Sequence, residues 1–398
     1  MKETINLAVI GLGGRGKGHI NDCFAHMDDV NIVGVCDLYD DRAEEAADLV
    51  EKTKGKRPEI VTTDYKEILN ADIVEAVVVS TAWESHVSIS IDALRAKKAV
   101  AMEVGCAYSE DECRNLIRAY EETKTPFMFM ENCCYDRRET MVFKMVKEGL
   151  FGEIIHCEGG YCHDLRKEVS EGKEARHYRL RNYMSHCCEN YPTHEMGPIA
   201  RVLNINHGNR MVSLCSVASK PAGIAEYAMK NLNGRKLDII QGDVITTTIK
   251  CAKGQTITLT HETSLPRPYS RRFTVCGTQG MYSEDGDYVY IDGKYPEAEW
   301  EQKKVWGNAK DYEKDYLDEK WVEMDNLKIE GGHGGMDYIE WRDFIDCLKT
   351  GRKMPIDVYD AATWMSISYL SEASIAAGGA PVYMPDFTDG RWVLDTEI

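Results

Sequence analysis

The chain has 398 residues and a formal net charge of -18, so it is long enough for two domains that each bury a core. The acidic balance argues against a nucleic-acid partner, which would need a basic face. The start of the sequence lacks an apolar signal region, and no apolar run reaches membrane-spanning length. We therefore expect a cytoplasmic protein without a membrane partner, whose fourteen cysteines are free thiols.

The first predicted strand ends in a glycine-rich turn that reads Gly11-Leu12-Gly13-Gly14-Arg15-Gly16. This is G-x-G-x-x-G between a strand and a helix, the context that a dinucleotide site requires. In that motif Gly11 permits a tight turn, Gly13 lets the backbone approach a pyrophosphate, and Gly16 allows close helix packing. We predict that Gly14 and Arg15 belong to the same site.

The second predicted strand, "NIVGVCDLYDDR", ends in Asp37. An acid about twenty residues beyond the last glycine can hydrogen-bond the adenosine ribose, which favours NAD over NADP. Arg42 lies nearby and could soften that preference. The alternative is that Asp37 is only a turn residue at the end of a strand.

Strands and helices then alternate, with strands predicted over Ile73 to Thr81, Ala99 to Gly105 and Pro126 to Tyr135. Alternation of this kind predicts an α/β fold with a doubly wound parallel Rossmann sheet. Because ligands bind at the carboxyl ends of such strands, several residues are predicted near the nicotinamide end of the cofactor. They are Trp83, His86, Glu103, Val104, Asn132 and Tyr135. The alternative for several of them is an ordinary polar residue in a loop.

The second half begins with a predicted linking helix in "ETMVFKMVKEGLFGEI" and continues in strand-like runs such as "MVSLCSVAS", "RRFTVCGTQGMYSE" and "DYVYIDGKYP". Turns with Gly and Asn between these runs predict an α+β domain with an open, largely antiparallel sheet. A surface helix is predicted between Trp306 and Trp321, and two late helices are predicted to pack back onto the first domain. We predict an NAD-binding domain over residues 1–135 and a substrate-binding and oligomerisation domain over residues 136–398.

The segment "NYPTHEMGP" follows Cys187 and Cys188, and three hypotheses fit it: a metal site, an acid–base group, or a turn into a helix. Adjacent cysteines point in different directions and suit a shared ion poorly, so we predict no metal. Taken alone, His194 is more often a structural histidine than a catalytic one.

The segments "GLGGRGKGH" and "MEVGCA", followed by a mixed second domain, resemble the Gfo/Idh/MocA oxidoreductases over nearly the whole chain. Within them "ENCCYDRRE", "HYRLRN", "YPTHEMGPIARVLNINHGNRM" and "RPYSRRFTVCGTQG" are similar to glycoside hydrolase family 109, the NAD-dependent α-N-acetylgalactosaminidases. The resemblance implies a glycosidase that uses NAD catalytically, with transient oxidation at sugar C3, elimination across C1–C2, water addition and re-reduction. A transient ketone then replaces the paired carboxylates of ordinary glycosidases.

The same resemblance implies roles for particular residues. The residues that it places in the sugar pocket are Tyr161, Arg179, Tyr191, Pro192, Thr193, His194 and Tyr269. His194 would serve as acid or base and Tyr135 would take the C2 proton, with Glu103 as its neighbour and Tyr191 also at the reaction centre.

Two departures from the family patterns bear on the chemistry. Many related dehydrogenases have Glu-Lys-Pro where this chain has Glu103-Val104-Gly105, and a valine cannot move a hydroxyl proton. The family's usual HGLGP is HEMGP here, so Glu195 is expected to add a negative charge beside the pocket. The predicted substrate is therefore an N-acetylgalactosaminide-like or related hexoside.

Two other functions stay open. One is a conventional NAD-dependent sugar or cyclitol dehydrogenase, against which the missing lysine argues. The other is a non-catalytic protein that senses NAD or a sugar. In each case the expected partner is a small molecule, and a homo-oligomer, dimer or tetramer, formed through the open sheet is common among such relatives.

Overall fold

The protein is described by a computed structural model that covers residues 3–295 and 305–394. The chain forms two compact units. The first unit comprises Met1–Tyr135 and Glu319–Ala362, and the second comprises Asp136–Asp318 and Thr363–Ile398. The assignment of the second part of the chain to substrate binding and oligomerisation stays a prediction.

The first unit contains a six-stranded sheet in which every pair of neighbouring strands is parallel. Its strands are β1 (Ile5–Ile10), β2 (Val30–Cys36), β3 (Ile60–Thr62), β4 (Ala76–Val79), β5 (Ala99–Glu103) and β6 (Phe127–Met130). Their order is β3-β2-β1-β4-β5-β6, which confirms the predicted doubly wound sheet. Strand β4 is buried along its whole length, as expected where helices cover both faces of a parallel sheet. The short β3 was not predicted from the sequence.

Helices connect these strands. They are α1 (Gly14–Gly18), α2 (Asp40–Lys54), α3 (Tyr65–Asn70), α4 (Trp83–Arg95) and α5 (Glu110–Thr123). After α1 the chain continues as a π-helical turn over His19–Cys23 and a 3₁₀ turn over Phe24–His26. Helix α5 begins after Ser109, whose hydroxyl accepts a hydrogen bond from the backbone N–H of Glu112 at 3.3 Å.

The second unit contains an eight-stranded, largely antiparallel sheet, as predicted. Its strands are β7 (Ile154–Cys162), β8 (Met211–Ala218), β9 (Ile245–Cys251), β10 (Thr256–Glu262), β11 (Thr274–Gly277), β12 (Gly280–Ser283), β13 (Tyr288–Ile291) and β14 (Val382–Tyr383). The order is β13-β12-β11-β7-β10-β9-β8-β14, with β7 and β10 as the parallel pair. That pairing sets Tyr161 directly beside His261. Pro296, at the end of the last predicted strand, lies outside the described residues.

The helices of the second unit before residue 319 are α6 (Arg137–Lys147), α7 (Arg166–Ser170), α8 (Arg179–Ser185), α9 (Thr193–Val202), α10 (Gly223–Asn231) and α11 (Glu313–Tyr316). The linking helix predicted after Tyr135 corresponds to α6. The prediction of a single helix between Trp306 and Trp321 is wrong, because Leu317 has an extended backbone that ends α11. A 3₁₀ turn over Asn308–Tyr312 precedes that helix.

Three helices follow: α12 (Glu319–Leu327), α13 (Met336–Thr350) and α14 (Val358–Ala376). Helices α12 and α13 belong to the first unit, and α14 begins there and continues into the second. In the part of the chain that the structure describes, none of the helices has both the length and the apolar character needed to cross a bilayer.

Candidate functional site

The glycine-rich turn has the conformation that a dinucleotide loop needs. Gly11 has a φ of +96°, and a Cβ there would lie 2.5 Å from the backbone of Ser80. A Cβ on Gly16 would lie 2.0 Å from the carbonyl oxygen of Gly11, so the loop and the helix approach closely only because both residues lack side chains. A Cβ on Gly14 would meet no atom within 4 Å, so that face of the loop is open.

Asp37 lies just beyond β2 and is buried, with 8% of its surface exposed. Its Oδ2 accepts a hydrogen bond from the backbone N–H of Leu12 at 2.7 Å, and its Oδ1 accepts one from that of Tyr39 at 3.0 Å. Each carboxylate oxygen keeps a second lone pair for a ribose hydroxyl. The loop and the fixed carboxylate together fit the diphosphate and the adenosine ribose of NAD.

Arg42 lies close to this loop. Its guanidinium is 5.0 Å from the centre of the Tyr39 ring, and its Nη1 is 4.0 Å from the position of a Cβ on Gly13. The sequence placed Arg42 near the ribose, and the structure brings it to the phosphate loop.

The carboxyl end of β5 carries a buried network of charged groups. Glu103 Oε1 accepts hydrogen bonds from Arg15 Nε at 2.7 Å and from His19 Nε2 at 2.6 Å. Arg15 Nη1 also donates to Asp337 Oδ2 at 2.5 Å. Arg15, predicted to bind the cofactor, therefore has its guanidinium occupied by two carboxylates of the first unit.

The protonation state of this network follows from its donors. Trp341 Nε1 can only donate, and it lies 2.9 Å from His19 Nδ1, so Nδ1 accepts and the hydrogen on Nε2 points to Glu103. Burial lowers the pKa of His19, which is thus neutral. Burial alone would raise the pKa of Glu103, but the charge of Arg15 and the hydrogen bond from His19 lower it to about 2. Glu103 is therefore ionised and is a weak proton acceptor.

The residues around this strand end are packed tightly. Val104 and Trp83 are buried, and a Cβ on Gly105 would lie 2.8 Å from Trp83 Cδ1. His86 Nε2 donates to the carbonyl oxygen of Thr81 at 2.9 Å, and burial lowers the pKa of His86. A proline at position 105, as in many related dehydrogenases, would collide with Trp83.

The sequence predicted that Tyr135 ends a strand, and this prediction is wrong. Strand β6 ends at Met130, and Tyr135 closes a 3₁₀ turn over Asn132–Tyr135. Asn132 Nδ2 donates to Asp337 Oδ1 at 2.6 Å, so this predicted cofactor residue joins the charged network.

The surroundings of Tyr135 in the first unit are electropositive. Lys320 Nζ lies 5.6 Å from the centre of the Tyr135 ring, and Arg352 interacts electrostatically with Tyr135. Both cations share the carboxylate of Asp343, at 2.6 and 2.9 Å. Two cations and one anion leave a net positive charge beside the phenol. Glu103, the expected neighbour of Tyr135, instead bonds Arg15, His19 and the backbone N–H of Val104.

In the second unit five rings from separate elements form one group, which we call the aromatic–histidine cluster. Its members are Tyr161 on β7, His163 after β7, Tyr191 before α9, His194 in α9 and Tyr269 in the β10–β11 loop. The ring of Tyr161 lies 4.7 Å from that of Tyr191 and 5.5 Å from that of His194. Tyr269 lies 6.4 Å from Tyr161 and 5.2 Å from His163 and is 46% exposed.

Other predicted pocket residues lie around this cluster. The guanidinium of Arg179 is 5.3 Å from the centre of the Tyr191 ring and donates to Glu168 at 3.0 Å. Pro192 is the residue before the first turn of α9. Thr193 is fully buried, and its hydroxyl has no hydrogen-bond partner among the described residues.

The structure places Glu195 differently from the sequence prediction. Its side chain is 1% exposed and lies over Gly159 of β7, so it adds no charge to an open surface. The two cysteines considered as metal ligands have separate partners: Cys188 Sγ donates to Asn190 Oδ1 at 3.2 Å, and Cys187 Sγ accepts from the backbone N–H of Gly242 at 3.4 Å.

Sequence reasoning missed His19, Asp337 and Trp341 in the first unit and His163 in the second. One signal was present for the first unit, because Arg15 and His19 are four residues apart, as are Asp337 and Trp341. That spacing puts two side chains on the same face of a helical segment. No local signal marked His163.

Models of two protein families match the chain. The oxidoreductase family with an NAD-binding Rossmann fold matches residues 5–130, and the C-terminal domain of glycosyl hydrolase 109 matches residues 135–394. An α-N-acetylgalactosaminidase from Tannerella forsythia is 36% identical over 98% of this chain and 87% of its own length. A glycosyl hydrolase family 109 protein from Parabacteroides distasonis is 35% identical over 98% of this chain and 88% of its own length.

Solved structures share the architecture at lower identity. An NAD binding oxidoreductase from Klebsiella pneumoniae has a TM-score of 0.70 at 14% identity and covers 96% of this chain and 99% of its own. The WlbA dehydrogenase from Bordetella pertussis, in complex with NADH and UDP-GlcNAcA, has a TM-score of 0.67 at 16% identity and covers 97% and 99%. Likeness at these identities concerns the fold.

Proposed function

We propose that this chain, which belongs to glycoside hydrolase family 109 within the Gfo/Idh/MocA oxidoreductases, is an NAD-dependent glycoside hydrolase. Membership of the family and the NAD-binding Rossmann fold support an enzyme that is either a glycosidase or a sugar oxidoreductase. The cofactor is NAD. The choice of the glycosidase, its mechanism and its substrate are our proposal.

The observation that carries the proposal is the aromatic–histidine cluster. Tyrosine rings offer flat apolar faces and hydroxyl groups, the combination that binds a sugar ring. His194 is partly exposed and lies against both Tyr161 and Tyr191, so an imidazole lies beside the proposed sugar surface. Arg179 supplies further hydrogen-bond donors.

NAD fits the loop from Gly11 to Gly16 and the carboxylate of Asp37. When bound, NAD supplies a reversible hydride acceptor for sugar C3, and a carbonyl at C3 makes the C2 proton acidic enough to remove. The lysine of many related dehydrogenases is replaced by the buried Val104, which favours elimination over net oxidation.

We assign the proton transfers to the chain's own groups. Tyr135 Oη takes the C2 proton in this proposal, because its phenol lies close to two cations, Lys320 and Arg352. A ring nitrogen of His194 moves the proton at the C3 hydroxyl or at the incoming water, and the Tyr191 hydroxyl orients the sugar beside it.

Glu103 has a different role from the one first expected. A carboxylate whose pKa is held near 2 accepts protons poorly, so we assign it to orienting the strand end at the cofactor rather than to base catalysis. Arg15 acts with it, as its ion-pair partner.

We propose an N-acetylgalactosaminide-like or related hexoside as substrate, because the Tannerella forsythia relative is an α-N-acetylgalactosaminidase. The burial of Glu195 supports this class, because that carboxylate is not offered to the sugar.

The test follows two signals at once. Purified protein is incubated with nitrophenyl hexosides and N-acetylhexosaminides of both anomers, with and without NAD, while nitrophenol release and NADH absorbance are recorded. Aglycone release without lasting NADH is the expected result and names the sugar. Steady NADH formation without release would overturn the glycosidase in favour of a dehydrogenase, and silence in both signals would favour a sensing protein.

The same assay tests the roles of single residues. Tyr135→Phe removes only the phenolic oxygen, and we expect kcat to fall by roughly 10²–10⁴-fold, the usual contribution of a general base. Tyr288→Phe on β13 is the matched control and should leave the rate unchanged. A Tyr135→Phe enzyme as active as wild type would remove Tyr135 from the mechanism.

A further inference from the structure

A glycine-rich segment of the first unit, "GGHGG" over residues 331–335, has no role in the proposed mechanism, and we call it the histidine loop. All five of its residues have a positive φ, and four of them are glycines, which adopt this conformation freely. His333 is the exception, with a φ of +41°. A residue with a Cβ adopts this backbone uncommonly, and residues held in it often lie at functional sites. The loop therefore indicates a role for the histidine side chain.

The histidine loop is fixed in place by its surroundings in the first unit. The carbonyl oxygen of Gly331 accepts hydrogen bonds from the backbone N–H of Tyr338 at 2.9 Å and from Cys23 Sγ at 3.4 Å. A Cβ on Gly332 would lie 2.5 Å from Asp337 Oδ2, so the loop packs directly on that carboxylate. These contacts give the histidine that follows a defined position.

One nitrogen of the His333 ring is held by the charged network at the end of β5. His333 Nδ1 lies 2.8 Å from Asp337 Oδ2, which also accepts a hydrogen bond from Arg15 Nη1 at 2.5 Å. Asp337 is 2% exposed, and its Oδ1 accepts a hydrogen bond from Asn132 Nδ2 at 2.6 Å. Burial alone would raise the pKa of Asp337, but the charge of Arg15 and the hydrogen bond from His333 hold it well below its usual range. An ionised carboxylate only accepts hydrogen bonds, so Nδ1 carries the hydrogen.

The other ring nitrogen, Nε2, is available to a ligand. The side chain of His333 is 57% exposed, and Nε2 has no hydrogen-bond partner within the described part of the chain. With Nδ1 donating, Nε2 accepts a hydrogen bond in the neutral imidazole and donates one in the protonated form. A hydroxyl group both donates and accepts, so it can pair with Nε2 in either form.

The strand order indicates which part of NAD lies closest to His333. Arg15, in the glycine-rich turn, lies 3.0 Å from His333 Nδ1 and 2.7 Å from Glu103 Oε1. Glu103 ends β5, whereas Asp37 follows β2, three positions away in the order β3-β2-β1-β4-β5-β6. Neighbouring strands lie about 4.8 Å apart, so these two strand ends are separated by about 14 Å. With the adenosine ribose at Asp37 and the diphosphate at the turn after β1, the nicotinamide half of NAD extends towards β5 and His333.

We propose that His333 is a further cofactor-binding residue, whose Nε2 forms a hydrogen bond with a hydroxyl group of the nicotinamide ribose of NAD. The diphosphate is a poorer partner, because its oxygens only accept and would pair with the protonated imidazole alone. The proposal rests on the NAD site of the proposed function and not on the choice between a glycosidase and a dehydrogenase.

The proposal also gives Arg15 a role at the cofactor. The sequence predicted that Arg15 binds NAD, yet its guanidinium is occupied by Glu103 and Asp337. Because the same Asp337 oxygen accepts hydrogen bonds from both Arg15 and His333, the arginine fixes the carboxylate that orients the imidazole. Arg15 and Asp337 are therefore positioning residues for His333.

The test measures binding and needs no sugar substrate. The full-length protein, freed of bound nucleotide, is titrated calorimetrically with NAD, with ADP-ribose, which keeps the second ribose but lacks nicotinamide, and with ADP, which lacks both. His333→Gly removes the ring and gives this position the residue type that favours its backbone, so the fold is retained. We expect the Kd values of NAD and ADP-ribose to rise about three- to tenfold, as for the loss of one hydrogen bond, and the Kd of ADP to stay unchanged.

Two further variants identify the cause. His333→Asn keeps a residue that tolerates a left-handed backbone, but its side chain is shorter than an imidazole, so it should lose affinity as the glycine variant does. His26→Ala, at an exposed histidine of the same unit, is the control and should leave all three Kd values unchanged.

Three results would overturn the proposal. Equal Kd values of NAD for the wild type and His333→Gly would remove His333 from the cofactor site. An equal loss of affinity for ADP would assign the imidazole to the diphosphate, and a loss for NAD alone would assign it to the nicotinamide ring, in both cases against the ribose.

The outcome is independent of the nitrophenyl glycoside assay. A glycosidase and a dehydrogenase would bind NAD through the same residues, so failure of the glycosidase proposal leaves the expected change in NAD and ADP-ribose affinity as it is. Conversely, if His333→Gly binds NAD as the wild type does, aglycone release without lasting NADH still decides the proposed function.

Discussion

At the scale of single residues, the functional groups of the first unit are set by their partners. Glu103 and His19 share one hydrogen bond, but Trp341 determines which imidazole nitrogen carries the hydrogen. Because burial strengthens such contacts, the loss of one partner costs more than the bond itself contributes.

The ionisation of Glu103 predicts an acid-sensitive fold. The pKa of this carboxylate is lowered from 4.5 to about 2, so its stabilisation is complete above pH 4.5 and is lost as the pH falls towards 2. The shift corresponds to roughly 3 kcal/mol. We expect the urea midpoint of the wild type to decrease when the pH is lowered from 5 to 3. The midpoint of Glu103→Gln should be lower than that of the wild type at pH 7 and should decrease less between pH 5 and pH 3.

Glu84→Gln, in the exposed first turn of α4, is the control for that titration and should follow the wild type at both pH values. Identical acid slopes for wild type and Glu103→Gln would show that Arg15 and His19 do not lower this pKa.

At the scale of elements, the cluster depends on how closely α9 packs on β7. A Cβ on Gly159 would lie 2.7 Å from Glu195 Cβ and 3.0 Å from Ile199 Cδ1, both shorter than normal contacts. We expect Gly159→Ala to push the helix from the strand and to destabilise the protein by about 1–3 kcal/mol, the usual cost of overpacking. Urea unfolding measures the loss, and a raised KM for the cleaved glycoside would accompany it.

Gly18→Ala is the matched control. Gly18 has a helical backbone, and a Cβ there would meet only Asp22 Oδ2 at an ordinary 3.8 Å. Its stability should be unchanged or slightly higher, since alanine favours a helix. If Gly159→Ala were equally harmless, the close contact between α9 and β7 would not be needed for stability.

At the scale of the whole molecule, two compact units make unfolding more complex than a single all-or-none step. The dinucleotide residues all belong to the first unit, so NAD stabilises whichever transition includes that unit. At an NAD concentration one hundred times its Kd, binding raises the free energy of unfolding by about 2.7 kcal/mol.

Calorimetry can test this with Asp37. We expect NAD to raise the transition temperature of the wild type much more than NADP does. Asp37→Asn should lose most of the rise in transition temperature with NAD, because an amide accepts fewer hydrogen bonds. The difference between the NAD and NADP responses should become smaller, because an amide does not repel a 2′-phosphate. Asp40→Asn, an exposed neighbour in α2, should respond as the wild type does. A full NAD response in Asp37→Asn would remove this carboxylate from the cofactor site.

Much of the fold could be predicted from the sequence because its signals are local. The glycine motif, the acid after β2 and the apolar runs of the parallel sheet reflect backbone conformation and burial within short segments, and they correctly predicted a Rossmann fold that binds NAD. The predicted ends of helices and strands were less accurate where a local turn interrupts the hydrophobic pattern, as at Leu317 and after Met130.

The surroundings of the candidate residues were decided by tertiary structure alone. Arg15 meets Asp337, which lies 322 residues later, and Tyr161 meets His261 only because β7 and β10 pair in parallel. The sequence pattern suggests that the charged side chain of Glu195 is exposed, yet a glycine in a distant strand leaves the space in which it is buried. Ionisation depends on burial and on neighbours that are remote in sequence, and for that reason the charge state of these groups follows from the folded chain and not from its local patterns.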